Sequence, residues 1–269
     1  MLSMTSDYAV STGCPEPYLR AIAESGFTHV HWCHHWNTDF VYATAEVEQI
    51  SRWLETFGLA LTDIHATAGV EKSWSSMREY ERLAGVELIR NRIEMAAQLA
   101  TDVIILHLPD LSAGPAGREP TWGRVRKSLE ALRPPAKAQG VRIAFENGDF
   151  DAIETVLAAY EPDFVGLCYD CGHGNMGTDA LDRLERLKGR LISIHLHDND
   201  GRSDQHKLPF TGTVDWPRLM RIIAGSAYGK WVSLETTIGN TGIKDERTFL
   251  RQAREAAGRL AEMLSAPAD

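Results

Sequence analysis

Apolar runs of strand length recur along the chain, each bounded by turn-forming residues and followed by apolar positions at helical spacing. Eight runs read as strands: Tyr8–Ser11, Thr28–Trp32, Ala60–His65, Val103–His107, Val141–Glu146, Val165–Asp170, Leu191–His197 and Trp231–Thr236. Several are continuously apolar before their last residue, as in the Val103–Leu106 stretch ahead of His107. Strands covered on both faces of a parallel sheet read this way. The segments between them predict helices over Pro15–Ser25, Ala45–Phe57, Met77–Leu99, Pro120–Gln139, Ala152–Tyr160, Ala180–Leu187, Trp216–Ile223 and Asp245–Leu264. In Ala45–Phe57, for example, Val47, Ile50, Trp53, Leu54 and Phe57 fall three and four apart before Gly58 stops the helix. Pro134 and Pro135 are expected to break or end the helix over Pro120–Gln139 early.

Strict alternation of strand and helix implies a parallel sheet with right-handed crossovers. Eight units favour closure into a single (β/α)8 TIM barrel of the α/β class, with an open doubly wound sheet as the main alternative. The 269 residues match the roughly 250 of such a barrel. No linker or low-complexity tract interrupts them, so residues 1–269 are read as one domain.

Composition narrows the class of partner. A formal net charge of −9 disfavours binding to a nucleic-acid backbone, although bound metals can invert a local field. No apolar run reaches membrane-spanning length, and the first residues lack the pattern of a secretory signal, which points to a cytoplasmic setting. Four cysteines are too sparse for a disulfide scaffold. Cys168 and Cys171 have C-x-x-C spacing, but they flank Asp170 on a strand and have no second pair, so a zinc or redox role is rejected.

Candidate chemistry lies at the strand ends. Successive runs close on Asp63-Ile64-His65, His107, Glu146-Asn147, Asp170 with His173 three residues on, His195-Leu196-His197-Asp198, and Glu235. In a barrel of this kind the C-terminal strand ends converge on one mouth, where active sites form. Any one of these residues alone could be a cap or a turn-maker. Six together would bury charges side by side, which is unfavourable unless a cation compensates. Mixed His and carboxylate donors suit Zn, Mn, Co or Fe(II) better than the all-oxygen shells of Ca and Mg. Alternation puts His195 and His197 on the same strand face and does not decide between them. After the second run, His29, His31, His34 and His35 lie among Trp32 and Trp36. A metal role fits, and a sugar-pocket wall fits better, with Trp36 and His35 as substrate contacts.

These strand-end residues resemble the xylose isomerase-like TIM-barrel superfamily, which includes sugar isomerases, ketose 3-epimerases and endonuclease IV-type enzymes. The resemblance covers essentially the whole chain and is densest from Glu146 to Glu235. It implies one metal held by Glu146, Asp170, His195 and Glu235, with His173 of the Asp-x-x-His motif contacting substrate. It also implies Glu146 and Glu235 as the acid/base pair of an isomerase or epimerase acting on a sugar or polyol through an enediolate. The nine ligand types of the endonuclease IV three-zinc site are likewise present, adding His65, His107, Asp204 and His206. The alternatives are therefore a multi-zinc phosphodiesterase and a non-catalytic sugar-binding barrel. Homo-oligomers are common in the superfamily, and no stretch here reads as an interface.

Overall fold

A computed structural model describes residues 1–67, 69–109 and 118–265. Its elements run β1 (Leu2–Thr5), α1 (Glu16–Glu24), β2 (His29–Trp32), α2 (Thr44–Phe57), β3 (Ala60–His65), α3 (Glu79–Gln98), β4 (Val103–His107) and α4 (Arg118–Gln139). The second half runs β5 (Arg142–Glu146), α5 (Phe150–Ala159), β6 (Val165–Asp170), α6 (Cys171–Asn175), α7 (Ala180–Leu187), β7 (Leu191–His195), α8 (Trp216–Ala224), β8 (Val232–Leu234) and α9 (Glu246–Ser265). The strands form one parallel sheet in the order β7-β6-β5-β4-β3-β2-β1-β8. Just past β7, Leu196 bridges Leu234 in parallel. The Leu196 amide donates to Ser233 O at 3.0 Å and the Glu235 amide donates to Leu196 O at 3.1 Å. These bonds bring the sheet's two ends together in a nearly closed TIM barrel, in place of the separated edges that the doubly wound alternative requires.

Alternation along each strand sorts side chains between two layers. Leu2, Met4, Val30, Ile64, Ile104, Leu106, Phe145, Leu167 and Ile194 face the helices in the large outer core. There they meet helix stripes such as Leu19 and Ile22 of α1 or Val47, Ile50 and Leu54 of α2. Each such side chain contributes roughly 1.5–3 kcal/mol by leaving water. The lumen holds a small apolar cluster of Val103, Ile105, Ala144, Cys168 and Ile192. Elsewhere it is polar, with Ser3, His31, Asp63, Ser193 and Ser233 all fully buried.

Two expectations are corrected. The first strand is Leu2–Thr5, and not Tyr8–Ser11. Its Ser3 and Thr5 alternate with Leu2 and Met4, so it lacks a continuous apolar run. Tyr8 instead packs between Tyr18 and Phe249 and donates to Glu246. The proline pair does not end α4, which continues to Gln139. Pro134 lies on the exposed side of the helix, as does Glu130 one turn earlier, whose carbonyl the proline cannot bond. Leu129, Leu132 and Ala136 meanwhile hold the buried face in place.

Candidate metal centre

Glu146, Asp170 and His195 are the last residues of β5, β6 and β7, and Glu235 follows β8 directly. Parallel registry places Glu146 beside Cys168 and Asp170 beside His195. One ligand atom from each of the four lies within 4.8 Å of the others. His195 Nδ1 is 3.4 Å from Glu146 Oε1, 3.8 Å from Asp170 Oδ2 and 3.0 Å from Glu235 Oε2. Three carboxylates thus surround one imidazole in a buried site.

Among the described residues, both ring nitrogens of His195, Glu146 Oε2 and Glu235 Oε2 have no hydrogen bond of proper geometry. A divalent cation would satisfy one ring nitrogen of His195 and Glu235 Oε2 and offset the excess negative charge, so the residues fit one. Burial alone would push the Glu146 carboxyl up, but His195 and His107 hold it well below its usual range. Burial and His195 act in the same opposed way on Glu235. Burial would lower His195, but Cys168, Glu235 and Glu146 carry it well above an ordinary histidine. Without an ion, one proton on His195 partly compensates the carboxylates.

Two further groups flank this core. His65 Nε2 and His107 Nε2 are 3.2 Å apart, and they approach Glu146 Oε2 at 3.3 and 3.4 Å. Glu146 therefore turns one oxygen to His195 and the other to this pair. The Trp36 ring lies 4.7 Å from His65 and 5.9 Å from His107, centre to centre. On the other side, Asp204 Oδ2 is 2.9 Å from His206 Nε2 and 3.4 Å from His173 Nε2. Burial would lower both imidazoles. The carboxylates of Asp170 and Asp204 instead raise His173 to about 10, and Asp204 and Glu235 raise His206 to about 10.

His35 is not brought to this cluster. Its φ of +59° turns successive side chains apart, and its ring stacks on Phe40 at 4.1 Å. It lines a separate aromatic cavity of about 310 Å³ with Trp32, His34, Tyr42 and Trp53. Three further residues shape the mouth. His197 Nε2 sits 2.9 Å from Asp170 Oδ2, and its ring stacks on His206 at 4.1 Å. Asn147 accepts from the Asp170 amide at 2.6 Å and donates to the Asp170 carbonyl at 3.0 Å, pinning β6 to β5. Gly172 leaves room for His197, since a Cβ there would lie 2.0 Å from the His197 ring. The H-x-H alternation leaves the choice between His195 and His197 open in the sequence; Asn147 stands at a strand end there, but its bond to Asp170 and the space that Gly172 leaves depend on contacts across strands. Asp170 also caps the five-residue α6 through the His173 amide at 2.7 Å, which aims His173 at the mouth. The cap reading and the ligand reading of this aspartate therefore hold together. Cys168 lies in the lumen, whereas Cys171 donates to His197 O at 2.9 Å.

The profile of the xylose isomerase-like TIM-barrel family matches residues 19–253. The chain belongs to this family. Protein y4fM of Sinorhizobium fredii is 30% identical over 93% of this chain and 90% of its own length. The probable endonuclease 4 of Mycobacterium bovis is 28% identical over 64% of this chain and 71% of its own length. The fold is shared with D-psicose 3-epimerase of Clostridium cellulolyticum, solved with D-tagatose, at a TM-score of 0.78 and 16% identity over 98% and 99% of the two chains. It is shared too with IolI, solved with a bound zinc atom, at a TM-score of 0.77 and 15% identity over the same shares. Structural neighbours are thus sugar 3-epimerases and related isomerases, beside endonuclease IV-like homologues in sequence.

Proposed function

We propose that this protein is a divalent-metal-dependent isomerase or epimerase of a sugar or polyol, with Glu146, Asp170, His195 and Glu235 as metal ligands. The convergence of these four buried side chains, with donor atoms left unbonded, carries the reading. An ion of the Mn, Co, Zn or Fe(II) type bound there would polarise a substrate carbonyl and its neighbouring hydroxyl and so favour an enediolate. Glu146 and Glu235 are the proton carriers: one takes the proton from the carbon beside the carbonyl, the other returns one. In the ion-free site both are held in the ionised form that the base needs, and the one that returns a proton must first take one up. His173 would steady a substrate oxygen, and the indole of Trp36 offers an apolar face to sugar C–H groups. The neighbours that act on ketoses support a small sugar as partner.

The test is metal analysis of the purified protein followed by a ketose panel in deuterated water with the matching ion. We expect deuterium to enter beside the carbonyl. Glu146→Gln should abolish exchange, a loss of at least about 100-fold, while metal binding is only partly weakened. Full activity in that variant would overturn the assignment.

The groups His65–His107–Glu146 and His173–Asp204–His206 favour a second reading, a multi-zinc phosphodiesterase for abasic DNA. The net charge of −9 opposes it. Three tightly held zinc ions per chain and cleavage of abasic duplex would establish it over the first; one Mn or Co would not.

A further inference from the structure

Glu235 has a second face. While Oε2 meets His195, Oε1 points across the mouth to 3.5 Å from His31 Nε2 and 3.6 Å from Cys33 Sγ. His31 Nε2 and Cys33 Sγ are 2.8 Å apart, and both residues are buried. One ligand atom from each of the three residues lies within 4.8 Å of the others. Neither His31 nor Cys33 belongs to the four-residue core or its two flanking groups.

The setting of His31 carries more than proximity. Its Nδ1 is 2.5 Å from Asp63 Oδ1, and Asp63 Oδ2 accepts from Ser193 Oγ at 2.5 Å. All three residues are fully buried. A carboxylate behind an imidazole, itself held by a further hydrogen bond, is how proteins fix a metal-binding histidine: it keeps N–H at Nδ1 and aims the Nε2 lone pair forward. Here Nε2 faces a thiol and a carboxylate, and not a backbone amide. The His31 ring also lies 4.3 Å from that of His195, so a cation on the His31 side would sit next to the core, with Glu235 bridging the two.

We infer that His31 Nε2, Cys33 Sγ and Glu235 Oε1 form a second, sulfur-containing cation subsite. It rests on the proposed four-residue core because Glu235 is shared. A thiolate donor would make it select zinc or cobalt over manganese or magnesium. On binding, the Cys33 S–H bond breaks, a sulfur–metal bond forms, and the proton leaves to solvent.

The full-length protein titrated with Co²⁺ under anaerobic conditions separates this subsite from the core. Nitrogen and oxygen donors alone give weak visible bands; a thiolate adds an intense near-ultraviolet charge-transfer band. We expect that band to saturate at one thiolate per chain, to vanish in Cys33→Ser, and to persist in Cys168→Ser, whose cysteine lies beside His195 and Glu146. X-ray absorption on the zinc-loaded wild type needs no variant and should show a sulfur at about 2.3 Å. Visible bands without the near-ultraviolet band, no sulfur in the zinc shell, or a band that follows Cys168 would overturn the subsite and leave the core standing. Absence of any cobalt or zinc uptake would overturn both.

Discussion

A single glycine sets how closely β6 and the segment after β7 can approach. A methyl group at Gly172 would lie 2.0 Å from His197 Cε1 and 2.7 Å from each ring nitrogen. His197 has no free direction in which to yield: Asp170 holds its Nε2, His206 stacks on its face, and it is fully buried. Gly172→Ala is therefore an overpacking change at the mouth, and it should destabilise the ion-free protein by about 1–3 kcal/mol in urea unfolding. Because His197 is fixed to Asp170, the displaced ring should pull that carboxylate off its position and weaken Co²⁺ binding at the same time. Unchanged stability together with unchanged cobalt affinity would mean that His197 does not orient Asp170.

Among the elements, α4 breaks its local rule most openly, since it runs through two consecutive prolines. Pro134 removes the amide that would bond to the Glu130 carbonyl, and its ring crowds that turn. The packed face of Leu129, Leu132 and Ala136 outweighs this, with all three fully buried. Pro134→Ala restores the amide, worth about 3 kcal/mol in a helix interior, against about 1 kcal/mol of added freedom in the unfolded chain. A net gain of about 2 kcal/mol in urea unfolding is expected; a loss would show that the proline ring itself packs usefully. The same competition explains what was legible beforehand. β4 to β7 announce themselves because their outer faces are uniformly apolar, and Glu146, Asp170 and His195 stand out as the polar residues that end them. β1 is not legible in the sequence because its lumen face is Ser3 and Thr5, and a four-residue strand with two polar positions looks like a loop. The reach of Asn147 to Asp170, the turn at His35 and the anchoring of His31 by Asp63 depend on contacts across strands, which a linear pattern does not carry.

For the whole molecule, a cation at the mouth would act as a tie across the strands. Its proposed ligands end β5, β6 and β7 and follow β8, and β7–β8 is where the sheet closes through the Leu196 bridge and not through a full ladder. A ligand held at 100 times its dissociation constant adds about 2.7 kcal/mol. For a barrel of this size that is a rise in Tm of roughly 5–11 °C, reversed by a chelator. The rise should depend on pH in a defined sense. Without an ion, His173 and His206 are raised from the ordinary 6.5 to about 10. Their contribution to folding is complete below about pH 6.5 and is lost as pH rises through about 10, because the folded state then gives up protons that the unfolded chain has already released. His195 is shifted in the same direction. A cation held by His195 needs that imidazole neutral and is repelled by protons on the neighbouring His173 and His206, so its binding is opposed at low pH and freed at high pH. The gap in Tm between cation-loaded and chelator-treated protein should therefore widen steadily from pH 6 to pH 9. A gap that stays constant or narrows across that range would mean that the cation binds without displacing protons from these histidines.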